Sequence, residues 1–300
     1  MIPSAQLLNP HKAPLENSTL KTTQLARVTE VQNVAPQHFR LTLQAPLIAS
    51  QAQAGQFVHI LPRSSANSDP FLRRAFSIMA VDREHIQVLF RTQGRGTAYL
   101  AEARPGDILD VLGPLGRPFD VSPFHVKQDA NITAILVGGG VGVPPLVLLG
   151  KTLRAMGVSP LAIVGARTAS DVIGESDFKE LPIDLHIATD DGSRGHQGRV
   201  TDLLEQSLDL QKSSAIIYSC GPWPMLKAVA QTALHRQIRC QVSMEENMPC
   251  GIGVCNGCVV EMKDSETGNE GRAVSEYDRY RRICVEGPAV WADEIEWGTL

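Results

Sequence analysis

Two hydrophobic periodicities divide the chain. Between about residues 24 and 125, apolar positions come in short runs parted by Gly and Pro. QLARVTEVQNV, HFRLTLQA, GQFVHILP, AFSIMAVD, HIQVLFRT and DILDVLGP each predict a strand of five to eight residues. Turn formers such as Ala54-Gly55 and Pro105-Gly106 lie between them. Six short strands at this spacing predict a small antiparallel barrel. From about residue 130 the pattern changes to strands alternating with helices. NITAILV, PLAIVGA, DLHIATDD, SAIIYSCGP and RCQVSME predict five strands. LVLLGKTLRAMG, RVTDLLEQSLDL and WPMLKAVAQTALHRQ predict helices. That alternation implies βαβ units, right-handed crossovers and a parallel sheet. Pro145 stands where the first helix should begin, a position that needs no N–H.

Two further segments have neither period. Residues 1–22 are rich in Pro, Asn, Ser and Lys and predict a flexible or partner-bound extension. After about residue 245 the chain is rich in Cys and Gly. The expected organisation is an extension over 1–22, a β-barrel over 23–127, an α/β domain over 128–240 and a small metal-bearing module over 241–300. The fold class is therefore β-barrel plus α/β.

Composition narrows the function. Among 300 residues, 28 Lys and Arg stand against 32 Asp and Glu, a net charge of −4 that argues against broad phosphate-backbone binding. No run of about 18 apolar residues predicts a membrane span. The first residues lack a basic start followed by an apolar stretch, so the expected location is the cytoplasm. The histidines show no H-x-x-x-H or H-E-x-x-H spacing, and no G-x-S-x-G elbow occurs, so hydrolytic machinery is not visible.

The cysteines carry the strongest chemical signal. All six fall at or after Cys220, which in a long chain without a leader argues for metal or redox work rather than disulfides. Cys250, Cys255 and Cys258 form C-x4-C-x2-C, the opening of a plant-type [2Fe–2S] site, and Cys284 can supply the fourth thiolate. Gly251, Gly253 and Gly257 let the backbone wrap closely and aim N–H groups at sulfur. A structural zinc site is the alternative, but zinc sites pair C-x2–4-C knuckles and Cys284 has no near partner. Unconnected buried cysteines are the other.

Four weaker motifs accompany it. Gly138-Gly139-Gly140-Val141-Gly142-Val143-Pro144-Pro145 joins a buried strand to a helix. It reads as a pyrophosphate-binding turn or as a tight turn without ligand. In Arg73-Arg74-Ala75-Phe76-Ser77, an arginine can fork onto phosphate, an aromatic can stack on an isoalloxazine and a hydroxyl can reach a flavin nitrogen. The alternative is a charged strand end with a buried Phe. Gly94-Arg95-Gly96-Thr97 reads as a second phosphate cradle or a surface turn. Cys220-Gly221-Pro222-Trp223-Pro224-Met225 ends a parallel strand, where ligands of open α/β sheets sit, although Cys220 can equally be a small buried hydrophobe. Asp190-Asp191-Gly192-Ser193 can hold a ribose or form a polar turn.

In this order the motifs resemble the ferredoxin reductase-like flavoproteins, FAD barrel first and nicotinamide domain second. RAFS is similar to their R-x-Y-S motif, with Phe76 in the Tyr position. SMEENMPCGIGVCNGCVV followed by CVEGPAV, with DVLGPLG and TDDGSRGHQGRVTDLL, resembles the electron-transfer subunits of NAD-dependent dihydroorotate dehydrogenase over about residues 24–297. The stretch from Cys258 to Cys284 is longer than the family pattern. The resemblance implies FAD, one [2Fe–2S] cluster and NAD as cofactors. It implies a catalytic partner that oxidises dihydroorotate on FMN, within a heterotetramer of pyrimidine biosynthesis. It implies that Arg74 and Ser77 bind flavin phosphate and ring, with Phe76 packed on the cofactor. Gly94, Gly96 and Thr97 would hold the FAD pyrophosphate, and Gly139, Gly140 and Gly142 would pack on the dinucleotide. Cys220, the candidate catalytic residue, and Gly221 would border the nicotinamide. Cys250, Cys255, Cys258 and Cys284 would ligate iron, and Cys240 would be structural. A subunit of a hydrogenase-type or ferredoxin–NADP oxidoreductase complex, a self-contained reductase and a non-catalytic zinc-binding module are the alternatives.

Overall fold

A computed structural model of the chain describes residues 21–63, 67–125, 132–210, 214–263 and 279–298. The expected N-terminal extension, apart from its last two residues, and most of the long stretch between Cys258 and Cys284 lie outside the described residues. Among the described residues no helix is long and apolar enough to cross a membrane.

All six expected barrel strands form. They are β1 (Thr22–Ala35), β2 (His38–Gln44), β3 (Phe57–Ile60), β4 (Arg74–Asp82), β5 (His85–Arg91) and β6 (Ile108–Leu115). They close in the order β1-β2-β5-β4-β3-β6, with antiparallel neighbours throughout, which leaves no open edge. Ala26, Val28, Leu41, Leu43, Ile78 and Val88 fill the core. β1 is longer than expected because one half pairs with β6 and the other with β2, and register shifts near Val28 and Asn33 bend it between them. Short helices α1 (Pro46–Ala49) and α2 (Arg95–Ala101) bridge strands of the barrel.

The second layer runs through β7 (Ile132–Gly139), α3 (Val143–Ala155), β8 (Leu161–Ala166), α4 (Glu175–Lys179), β9 (Asp184–Thr189), β10 (His196–Gln197), α5 (Val200–Leu210), β11 (Ser214–Cys220), α6 (Trp223–His235) and β12 (Arg239–Ser243). The chain ends with β13 (Val259–Glu261), β14 (Tyr280–Arg282), α7 (Ile283–Glu286) and β15 (Ala289–Trp291). The sheet order is β10-β9-β8-β7-β11-β12-β15. The strands from β10 to β12 are parallel, as the alternation predicts. β15 pairs antiparallel with β12, so the Cys-rich segment returns a strand to this sheet, and the expected boundary after residue 240 falls inside β12.

The strand order reverses between β7 and β11, and their carboxyl ends open the crevice where such sheets bind ligands. α3 fills the space between barrel and sheet with Val143, Leu146, Val147 and Leu149. It starts at Val143, two residues before the expected position. Pro144 and Pro145 still fall in the first turn, where missing donors cost nothing. Tyr218 of β11 donates to the Asp120 carbonyl at 2.8 Å, and Arg40 of β2 pairs with Asp177 of α4 at 2.6 Å. Both contacts tie the two layers together.

Gly142 sets the approach of α3 to β11. A Cβ there would overlap the Cys220 carbonyl and the Gly221 nitrogen, both backbone atoms that cannot swing aside. Gly142→Ala should therefore cost about 3 kcal/mol, at the upper end of overpacking. The check is the shift in urea midpoint of the full chain. A loss below about 1 kcal/mol would mean that α3 slides freely on the sheet.

Candidate functional site

Two cavities meet above the crevice. The first, about 760 Å³, lies between β4, the end of β11 and residues 243–249. Arg74, Phe76, Ser77, Thr97 and Cys220 all line it, so three separate sequence motifs converge here. Of the two adjacent arginines, Arg73 is drawn to Asp110, with 2.6 Å to Oδ2 and 2.9 Å to the carbonyl. Among the described residues Arg74 donates only to neighbouring carbonyls, those of Leu72 and Arg73. Its guanidinium rests on Gly96, where a Cβ would come within 3.1 Å of Nε. Gly96 thus makes room for Arg74 and is absent from the cavity wall. The Thr97 hydroxyl accepts the Gln93 and Gly94 N–H groups at 2.9 and 3.2 Å and shapes the turn. Gly94 has open space in front of it. Phe76 packs its ring against Phe90, with centroids 5.3 Å apart.

The second cavity, about 560 Å³, covers the carboxyl ends of β7, β8 and β9. Gly139 and Gly140 line it. A side chain at Gly139 would strike Met225, and Gly140 holds φ +52° with open space before it. Gly142 lies outside this cavity wall and serves the helix–strand contact. Gly221 likewise packs on Met225 rather than lining a cavity. The Asp190 pair divides its work. Asp190 faces the cavity with Arg167, while Asp191 turns back to accept the Ser193 hydroxyl and N–H at 2.6 and 3.0 Å. Those bonds hold the Asp191 carboxyl below its usual range.

Val141 and Glu245 line both cavities and mark the junction. The sequence reading missed Glu245. Its only signal is an acid just past the last parallel strand, whose end overlooks the crevice. It reaches solvent through the cavity, and burial pushes its carboxyl above the usual range. Cys220 is enclosed, and burial followed by the nearby Glu245 pushes its thiol far up. Burial thus favours the neutral thiol at the cavity wall. Cys240 sits in the core beneath α6, and its thiol is also pushed up by burial.

The four-thiol loop lies on the other side of the first cavity. Gly251 and Gly253, at φ +68° and +82°, fold it back on itself. Val254 and Cys255 point N–H groups at the Cys250 sulfur, at 3.4 and 3.5 Å. Gly257 donates to Cys255 and Cys284 donates to Cys258, each at 3.4 Å. Burial raises the Cys250 thiol, but these donors outweigh it and hold its pKa at about 6. Cys284 is pushed up to about 12, by burial and then by Cys258. Backbone N–H bonds link Cys255 to the Cys250 sulfur and Cys284 to the Cys258 sulfur, and Cys284 also feels Cys250. Among the described residues no three His, Cys, Asp or Glu side chains converge on one ion. Four cysteines in this spacing and linkage suit a two-iron cluster with two thiolates per iron. Arg282 donates to the Gly253 carbonyl at 3.1 Å and pins the loop.

One barrel face joins these sites. Phe57 of β3 lines the flavin-sized cavity and also packs with Cys258 and Cys284. His59, two residues on, is fully buried against Gly251, and burial followed by Arg73 lowers its pKa to about 4.

Barrel, parallel sheet, adjoining cavities and four thiols define a ferredoxin reductase-like flavoprotein with an iron–sulfur module. Solved structures agree. One described as the NADH-dependent reduced ferredoxin-NADP oxidoreductase aligns at TM-score 0.76 and 27% identity, covering 91% of this chain and 90% of that one. A ferredoxin NADP+ reductase from Neisseria gonorrhoeae with bound FAD and NADP shares the fold at TM-score 0.57 and 18% identity, over 71% of this chain and 91% of that one. The family model described as the iron-sulfur cluster binding domain of dihydroorotate dehydrogenase B matches residues 245–296, and the oxidoreductase NAD-binding domain matches 136–231. The dihydroorotate dehydrogenase B (NAD(+)) electron transfer subunit of Geobacillus kaustophilus is 40% identical, over 87% of this chain and 94% of its own. That of Shouchella clausii is 38% identical, over 89% and 96%. The chain belongs to the family of dihydroorotate dehydrogenase B electron transfer subunits.

The raised Glu245 carboxyl gives a pH prediction. A folded pKa above the unfolded value means stability is fully present below the unfolded pKa and is lost as pH rises through the folded one. Glu245→Gln should match the parent in urea midpoint near pH 4 and exceed it increasingly toward pH 8. A difference that does not vary with pH would show a solvated carboxylate.

Proposed function

We propose that this chain carries electrons from a dihydroorotate-oxidising catalytic subunit, through a [2Fe–2S] cluster and FAD, to NAD+. The carrying observation is the order of the sites: the thiols, Phe57, a flavin-sized cavity, then Glu245 and Val141 at the mouth of a dinucleotide cavity. When bound, the cluster exchanges single electrons and the flavin links them to a two-electron hydride acceptor.

The residues divide the binding work. Cys250, Cys255, Cys258 and Cys284 would hold the cluster through their thiolates. Arg74 takes a flavin phosphate, Ser77 meets the ring from β4 and Phe76 supports it through Phe90. Gly94 offers backbone to the pyrophosphate, with Thr97 fixing the turn. Gly139 and Gly140 let the dinucleotide approach β7, and Asp190 and Arg167 face its far end. Cys220 stays protonated and fills the junction wall without adding charge. Glu245 stands where the two cavities meet, and the protein around it shifts its carboxyl toward the neutral form. The partner is the catalytic subunit of the same enzyme, carrying FMN in a cytoplasmic heterotetramer; family membership supports this part. The exposed Ile252, Val254 and Cys255 turn the cluster loop outward toward such a partner.

Visible spectra of the anaerobic full chain, before and after NADH, test the reading. Flavin bands over a broad iron–sulfur envelope, both bleached by NADH, are the expected result; a colourless zinc protein would overturn it. Cys255→Ser should abolish cluster-dependent transfer and leave the NADH-to-dye reaction through FAD intact. Loss of the dye reaction with FAD still bound would reverse the electron order. Arg74→Ala removes a charge-assisted phosphate contact and should weaken FAD retention about tenfold or more. Equilibrium dialysis reads that loss directly.

A further inference from the structure

His59 is the one fully buried imidazole among the described residues, and neither ring nitrogen has a hydrogen-bond partner. Buried polar atoms are normally paired, so two orphans on one ring call for an explanation. The residue lies in β3, opposite Ala75 of β4, on the strand that separates flavin cavity from thiol loop. Its ring is pressed against Gly251, immediately after Cys250. A Cβ at Gly251 would come within 2.5 Å of Cε1 and 2.8 Å of both nitrogens. Gly251 therefore has no side chain because the imidazole occupies that space. Arg73 binds Asp110 Oδ2 and the carbonyls of Asp110 and His59, not the ring, and the buried Asp110 Oδ1 does not reach the ring either.

A neutral imidazole holds one N–H donor and one acceptor. The loop's N–H groups point at the cysteine sulfurs, and no loop carbonyl lies within hydrogen-bond distance of the ring. Sulfur bound to iron is an acceptor and carries partial negative charge. We propose that the His59 imidazole donates an N–H hydrogen bond to a sulfur of the cluster held by the Cys250–Cys284 set and thereby raises the cluster's reduction potential. The sign follows from charge. The reduced cluster is the more negative form, so a donor to its sulfur favours reduction. His59 acts through the cluster's environment and is a positioning and tuning residue. The inference rests on the [2Fe–2S] reading of the four cysteines.

The test compares His59→Phe, which keeps a ring without a donor, with His59→Asn, which keeps an N–H. Both are made in the full chain and loaded to the same iron and sulfide content. Redox titration should show His59→Phe lowered by about a tenfold change in the reduction equilibrium, near 59 mV for one electron. His59→Asn should recover most of that shift. Equal potentials in all three proteins would overturn the proposal. If His59→Phe does not load, the parent chain labelled with 15N only at histidine decides by pulsed EPR of the reduced cluster. A 15N coupling with an exchangeable proton supports the bond, and its absence overturns it. A parent chain without iron and sulfide would instead defeat the underlying cluster reading, which the metal analysis reports separately.

Discussion

The arrangement hangs on a seam of four residues. Gly116 and Arg117, just past β6, meet Gly287 and Pro288, just past α7. The Arg117 N–H donates to the Gly287 carbonyl, and the Met244 N–H donates to the Pro288 carbonyl at 3.0 Å. A Cβ on Gly116, at φ +76°, would fall 2.5 Å from the Pro288 ring. One residue later, Ala289 pairs with Ser243 and β15 joins the sheet. A single dipeptide thus touches the barrel, the sheet and the segment that carries Cys284. Pro288 also lines the flavin-sized cavity. Moving this seam would change the distances between all three sites together, and electron transfer depends on those distances.

Burial then sorts the ionisable groups by task. Cys220 and Cys240 sit where few donors reach them, and their thiols stay neutral. Cys250 sits where the loop turns its amides inward, and backbone donors favour its thiolate. The same residue type is inert in one place and a ready metal ligand in another, and the difference is backbone geometry. Glu245 shows the converse: a carboxyl above a protein-walled junction is costly to ionise.

Strong local patterns made much of this readable in the chain. Six barrel strands and five sheet strands each bury a run of apolar residues between Gly or Pro turns, and all eleven formed. C-x4-C-x2-C announced the loop, because iron fixes the spacing of its ligands. What escaped had no local pattern. β15 is three residues long and exists because β12 offers it an edge. α4 and β10, of five and two residues, are too short to show a period. The third glycine of the GGGVG turn looked like its neighbours, yet Gly142 serves packing while Gly140 faces the cavity. Glu245 and His59 each became visible only when the fold set a distant element against them.

The cysteine module is not a bead on a tether. Val260, Met262, Ile283, Val290, Ile295 and Trp297 share one buried cluster with α6, β12 and the sheet's far face, and the rings of Trp297 and Trp223 lie 4.8 Å apart. Separating the module would expose a core, not break a linker, and apolar exposure on that scale is strongly unfavourable. Its thiols therefore keep their distance from the flavin cavity through the same packing that stabilises the dinucleotide domain. Ile252 and Val254, the apolar residues of the loop itself, are left out of this core and stand exposed beside Cys255. Packing is thus tight on the face toward flavin and absent on the face turned outward. That asymmetry suits a relay whose internal step is fixed by folding and whose external step waits on a partner.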